Sequence, residues 1–88
     1  MSRFDFNKRL GKYLKEARLS SEMSQKEVSD HLDFSSAQFI SNIERGKCAV
    51  PRYLLKELAD LYDLDKNEFI SLLIKWSEKS LRNDLKIK

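Results

Sequence analysis

Ala37, Gln38, Ser41 and Asn42 fall on one face of a helix whose opposite face carries Ile40 and Ile43. The carboxamides of Gln38 and Asn42 each hold a donor and an acceptor side by side, the pattern that pairs with adenine N6 and N7. The Ser41 hydroxyl can bond a base or a phosphate. Ala37 is small enough to let its surface approach a partner closely or touch a thymine methyl. A plain solvated helix face draws mostly on Lys and Glu. Here the face is uncharged until Glu44. The bland alternative is a neutral polar surface with helix caps, in which Ser35…Gln38 is a capping box and nothing more.

Little other chemistry is available. One Cys (Cys48) and one His (His31) exclude a disulfide framework and a Cys/His zinc site. His31, beside Asp30, reads as a partly exposed side chain with a carboxylate near it, not as a ligand or pH switch. Cys48 reads as a small, partly buried apolar group, with an oxidation-sensitive contact as the less ordinary option. No Ser/His/Asp or Cys/His arrangement can be assembled, and two glycines make no phosphate-cradling loop. Glu57, Asp60, Asp63, Asp65 and Glu68 lack calcium-loop spacing and read as solvated faces and caps. No enzyme, cofactor or metal is expected.

The elements that must position the polar face are helical throughout. Phe6, Leu10, Tyr13, Leu14 and Ala17 trace one face of a helix over about 5–19. Gly11 lies inside it at a cost of about 1 kcal/mol relative to Ala. Ser24 and Glu27 form a capping box, opening a short helix to about Leu32 that buries Val28 and Leu32, with Met23 as the staple. Asp33-Phe34-Ser35-Ser36 makes a turn, and either serine can cap a third helix that runs to about Arg45. Gly46 ends it by taking the left-handed conformation. Pro51 fits the first turn of a fourth helix with Leu54, Leu55, Leu58 and Tyr62 buried. Asp65…Glu68 is a second capping box before a fifth helix to about Ser80. No segment alternates with period two, so the fold class is all-α with five short helices.

A length of 88 residues fits one small domain. The longest apolar run, Leu72-Leu73-Ile74, is far below the ~20 residues that span a bilayer, and the start of the chain has no signal-peptide pattern. The net charge of +3 is unevenly spread. Residues 1–19 carry +4, 20–46 carry −3, 47–68 carry −1 and 69–88 carry +3. The polar face therefore sits in the acidic part of the chain.

Two short helices joined by a tight turn and flanked by a helix on each side are the arrangement of a helix-turn-helix, whose second helix enters the DNA major groove. Ser24-Gln25-Lys26-Glu27-Val28 and Ile40-Ser41-Asn42-Ile43-Glu44-Arg45-Gly46-Lys47 resemble the Cro/repressor-type motif of the Xre family of bacterial and phage regulators. Leu14-Lys15-Glu16-Ala17-Arg18 is similar to that family's first helix, and the likeness spans about residues 10–69. The resemblance implies a compact five-helix bundle of the phage-repressor type. It implies a phosphate contact at Gln25, base-facing or adjacent positions at Ser35, Ser36, Ala37, Gln38, Ser41 and Asn42, and backbone contacts at Lys47 and Arg52. Arg52 could also reach a minor groove. Arg18 and Glu44 match a pair that the family uses as an internal salt bridge. The turn is one residue longer than the family pattern, somewhere in 33–36, and Asp33 stands where the family has Gly. This shifts the start of the third helix by one residue between Ser35 and Ser36. It leaves two roles open for Phe39: packing on the lengthened turn, or touching a thymine methyl.

The fifth helix is more apolar than a surface helix needs. Phe69, Leu72, Leu73 and Trp76 make one stripe that can close the core; Ile70, Ile74 and Leu81 make a second that a monomer would expose. A symmetric homodimer through this helix is expected. The domain is read as residues 1–81, with a dimerisation helix at about 65–80 and a flexible tail at 82–88. The expected function is a sequence-specific, cytoplasmic, bacterial or phage-encoded repressor bound to a double-stranded DNA operator. Phage repressor, restriction–modification controller and antitoxin all fit this size. The alternative is a protein-interaction module of the same fold whose main partner is another protein, such as a toxin.

Overall fold

A computed structural model describes the backbone of residues 2–85 and the side chains of residues 5–78. It contains α1 (Ser2–Ser20), α2 (Gln25–His31), α3 (Gln38–Glu44), α4 (Arg52–Leu61) and α5 (Lys66–Leu85), with no strand among the described residues. The fold is all-helical, as the periodicity requires. α1 packs most extensively along α5 and then on α3, while α2 rests on α3. Leu10, Leu14, Val28, Ile40, Ile43, Leu54, Leu58, Ala59, Tyr62 and Phe69 form the buried core. Each fully buried aliphatic contributes roughly 1.5–3 kcal/mol. Tyr13 joins α1 to α5, stacked on Phe69 at 5.5 Å and edge-on to Trp76 at 5.7 Å. Burial, reinforced by Glu68 and Asp65, raises the Tyr13 phenol above its ordinary pKa.

Both glycines lie where α1 crosses the C-terminal end of α3. A Cβ on Gly11 would sit 2.3 Å from the Ile43 carbonyl oxygen and 2.8 Å from that of Glu44. The cost of a mid-helix glycine is thus offset by a close approach that no other residue allows. Gly46 has φ +73°, and a Cβ there would meet the Lys8 Cα at 2.7 Å.

All of the first four helices end alike. The residue after the C-cap is left-handed: Glu22 (φ 57°), Asp33 (φ 61°), Gly46 (φ 73°) and Asp63 (φ 53°). The next amide reaches back to a helix carbonyl, Met23 to Arg18, Phe34 to Ser29, Lys47 to Asn42 and Leu64 to Ala59. This is the Schellman arrangement. Only Gly46 takes the conformation without a steric cost.

Several boundaries differ from the sequence expectations. α3 opens at Gln38, not at 36, and no Ser35…Gln38 capping box forms. Ala37 already has helical angles (φ −78°, ψ −2°), and Ser36 Oγ, one residue earlier, accepts the Gln38 N–H at 3.3 Å. The cap contact therefore falls to Ser36. Pro51 stands just outside α4 as its N-cap, extended at ψ 149°. Asp65 accepts the Glu68 N–H at 3.0 Å, one half of the expected box. Leu72 is half-buried but outside the core cluster that holds Leu73 and Trp76. α5 continues to Leu85 because no Gly or Pro interrupts residues 66–85. The Leu81 side chain and residues 86–88 of the expected tail lie outside the described residues.

Candidate nucleic-acid interface

α2 is set by its own sequence. Ser24 Oγ accepts the Glu27 N–H at 3.0 Å, and Glu27 accepts the Ser24 N–H at 2.9 Å. Six residues, 32–37, connect it to α3. That long turn is packed from within: Phe34 meets Phe39 edge-to-face at 5.4 Å, and both rings lean on the core. Phe39 therefore belongs to the turn, and its ring is half-buried.

A buried ion pair fixes how α1, α2 and α3 meet. Arg18 and Glu44 are bidentate, with Nε to Oε2 at 2.7 Å and Nη2 to Oε1 at 3.1 Å. Arg18 Nη1 also donates to the Met23 carbonyl at 2.8 Å. Gln25, the first residue of α2, donates its amide to Glu44 Oε1 at 2.9 Å. Glu44 thus gathers a side chain from each neighbouring helix. The hydrogen bonds to Glu44 hold the Arg18 guanidinium further above its ordinary pKa, against the opposing effect of burial. Tyr62 lies in the same field, and its phenol is pushed well up, first by burial and then by Glu44.

With Ile40, Ile43 and Glu44 turned inward, the opposite side of α3 presents Gln38, Ser41, Asn42 and Arg45. Gln38 and Arg45 are exposed, and Ser41 and Asn42 are half-buried. Gln38 Nε2 donates to Asn42 Oδ1 at 3.0 Å, and Arg45 Nη2 donates to the same oxygen at 3.0 Å. Ala37 is half-buried at the head of the helix, and Ser35 and Ser36 are exposed in the turn before it. Lys47 is exposed just after α3, and Arg52 is exposed as the first residue of α4. Gln38 and Asn42 are therefore joined directly, while Gln25 faces inward to Glu44.

Arg45 was not singled out by sequence reasoning, which looked for short polar groups and took this position as the helix end. Its spacing carried the signal: residue 45 is seven after 38, two turns along the same face.

Elsewhere, His31 is exposed and the Cys48 thiol is half-buried against the core. Ile70 and Ile74 on α5 are 53% and 60% exposed. Ile70 borders an apolar groove floored by Phe6, Leu55, Ala59, Phe69 and Leu73. Among the described residues no helix is long and apolar enough to cross a membrane.

A family model described as a helix-turn-helix domain matches residues 9–70. Neither characterised proteins nor solved structures gave a match. The matched segment runs from α1 into the start of α5 and contains the whole α2–turn–α3 unit. The chain belongs to the helix-turn-helix domain family, a family of DNA-binding proteins.

Proposed function

We propose that this protein is a sequence-specific transcriptional regulator of the Xre/Cro type, a repressor that reads the major groove of an operator with the outer face of α3. The observation that carries this reading is the uncharged amide pair, Gln38 and Asn42, displayed on a helix whose inner side is clamped by Ile40, Ile43 and Glu44. Ser36, Ala37 and Ser41 line the same approach. Ser35, Lys47 and Arg52 supply contacts to the flanking backbone, and Gln25 supports α2 through Glu44, its backbone N–H at the start of α2 being the group left for a phosphate. The segment holding the motif is acidic overall, −3 over residues 20–46. Non-specific affinity is accordingly modest, and specificity depends on a few placed groups.

Dimerisation through α5 completes the proposal. Ile70 and Ile74, one turn apart and both exposed, extend an apolar surface that a second copy covers. Two copies then address half-sites about 34–36 Å apart, one turn of DNA. The protein works where its operator is, in the cytoplasm of a bacterial cell.

Binding to a mixture of genomic fragments tests the reading. Retention of a few fragments, weakening steeply with salt and reduced about tenfold or more in Gln38→Ala or Asn42→Ala, is expected. No retention at low salt and tens of micromolar protein overturns it. That result would favour a protein partner seated on the Ile70–Ile74 surface. Sedimentation over a concentration series tests the dimer, and a monomer at high micromolar concentration contradicts it.

A further inference from the structure

Arg45 stands seven residues after Gln38, about 20° round the helix from it, and is exposed. Its Nη2 donates to Asn42 Oδ1 at 3.0 Å and its Nε to the Ser41 carbonyl at 3.4 Å. The same Asn42 oxygen accepts Gln38 Nε2 at 3.0 Å. A guanidinium has donors only, so the Asn42 atom that faces it must be the carbonyl oxygen. The Gln38 atom that meets this oxygen must in turn be the amide nitrogen. One arginine thereby fixes the polarity of both carboxamides. Gln38 is left to offer its acceptor, Oε1, beside one remaining Nε2 hydrogen, whereas Asn42, its oxygen taken twice, offers donors only, through Nδ2. Arg45 retains Nη1 and one Nη2 hydrogen for an outside partner.

We infer that Arg45 is a specificity-determining residue, which sets the donor–acceptor order of the α3 face and presents its remaining donors to a guanine. The inference rests on the reading that α3 enters the major groove. From residue 38 to residue 45 the helix rises about 10 Å, the length of about three base-pair steps. Along it the face reads an acceptor with a donor beside it, then donors only, then the paired donors of a guanidinium. The complementary edge is the N6 amino group and N7 of an adenine, then an acceptor such as a purine N7 or thymine O4, then O6 and N7 of guanine. A guanine thus closes one end of a short run whose other positions are set by the amide order.

Selection from a random duplex pool tests this with the intact chain, Arg45→Ala, Arg45→Lys and Arg9→Ala, the last an exposed cation on α1. The intact chain and Arg9→Ala are expected to select one motif with a fixed guanine. Arg45→Ala should lose that guanine preference about ten- to a hundredfold and relax the neighbouring position, because the amides are no longer polarised. Arg45→Lys, which keeps the charge and the helix but not the forked donors, should keep the affinity better than the preference. The same motif at uniformly weaker affinity in both Arg45 variants would make Arg45 a phosphate contact and overturn the inference, leaving the groove reading intact. Absence of any motif from the intact chain overturns both.

Discussion

On its inner side α3 meets α1 so closely that a Cβ on Gly11 would lie 2.3 Å from the Ile43 carbonyl oxygen, and Glu44 is held there by Arg18 and Gln25. On its outer side Gln38, Asn42 and Arg45 bond to one another at the surface. The inner contacts involve backbone atoms and a buried charge, neither of which can shift without cost. The outer contacts join side chains at or near the surface. One seven-residue helix thus separates the contacts that hold its position from the polar groups at its surface. Changes on the inner side should register as stability and changes on the outer side as recognition.

The sharpest way to break this contrast is Glu44→Ala. It leaves Arg18 buried and uncompensated and takes a partner from Gln25, so a loss of about 3–5 kcal/mol is expected in urea unfolding. Gln38→Ala on the opposite face should stay within about 0.5 kcal/mol of the parent. Equal losses would erase the distinction. Gly11→Ala comes next. The gain in helix propensity is about 1 kcal/mol, but the clash with two α3 carbonyls forces the helices apart, and a net loss of about 2 kcal/mol is expected. A more stable Gly11→Ala protein would mean that the junction has slack.

Two smaller effects sharpen the picture. Asp63→Gly, at a left-handed position far along the chain from α3, should stabilise by about 1 kcal/mol by removing a steric cost. Thermal unfolding checks it, and DNA binding should be unchanged. Tyr62 supplies a pH dependence. Its folded pKa lies above the ordinary value of 10.0, so its contribution is complete below that pH. As pH rises past it, the unfolded chain loses the phenolic proton while the folded chain keeps it, and stability falls. Tyr62→Phe should flatten that alkaline decline in a pH series of melting temperatures.

Much of the scaffold was legible because it is local. The Ser24–Glu27 box, the left-handed Gly46 and the buried stripe of α4 follow from neighbours a few residues apart. Part of what escaped depends on distance in space. Gly11 reads as a defect until α3 is laid across it. Two serines compete to cap α3; Ser36 takes the contact, and Phe34 packs on Phe39 across the turn before the helix. Glu22 takes a left-handed angle that its side chain does not favour, and Asp63 one that Asp tolerates better than most residues, both to close helix ends. In the candidate site the short amides were evident from their face. Arg45 was missed because its position was read as a helix end, and its bond to Asn42 depends on side-chain geometry that spacing alone does not give.

The outer face of α3 is proposed as the surface that meets DNA. Amide and side-chain NMR spectra of the labelled chain, titrated with a 20-base-pair duplex at low salt (about 20 mM), locate that surface residue by residue. Shifts are expected to concentrate at residues 35–47 and at Arg52, including the Gln38 and Asn42 side-chain amides. Shifts confined to the Ile70–Ile74 face of α5, or none at all, would rule out α3 as the DNA-facing surface.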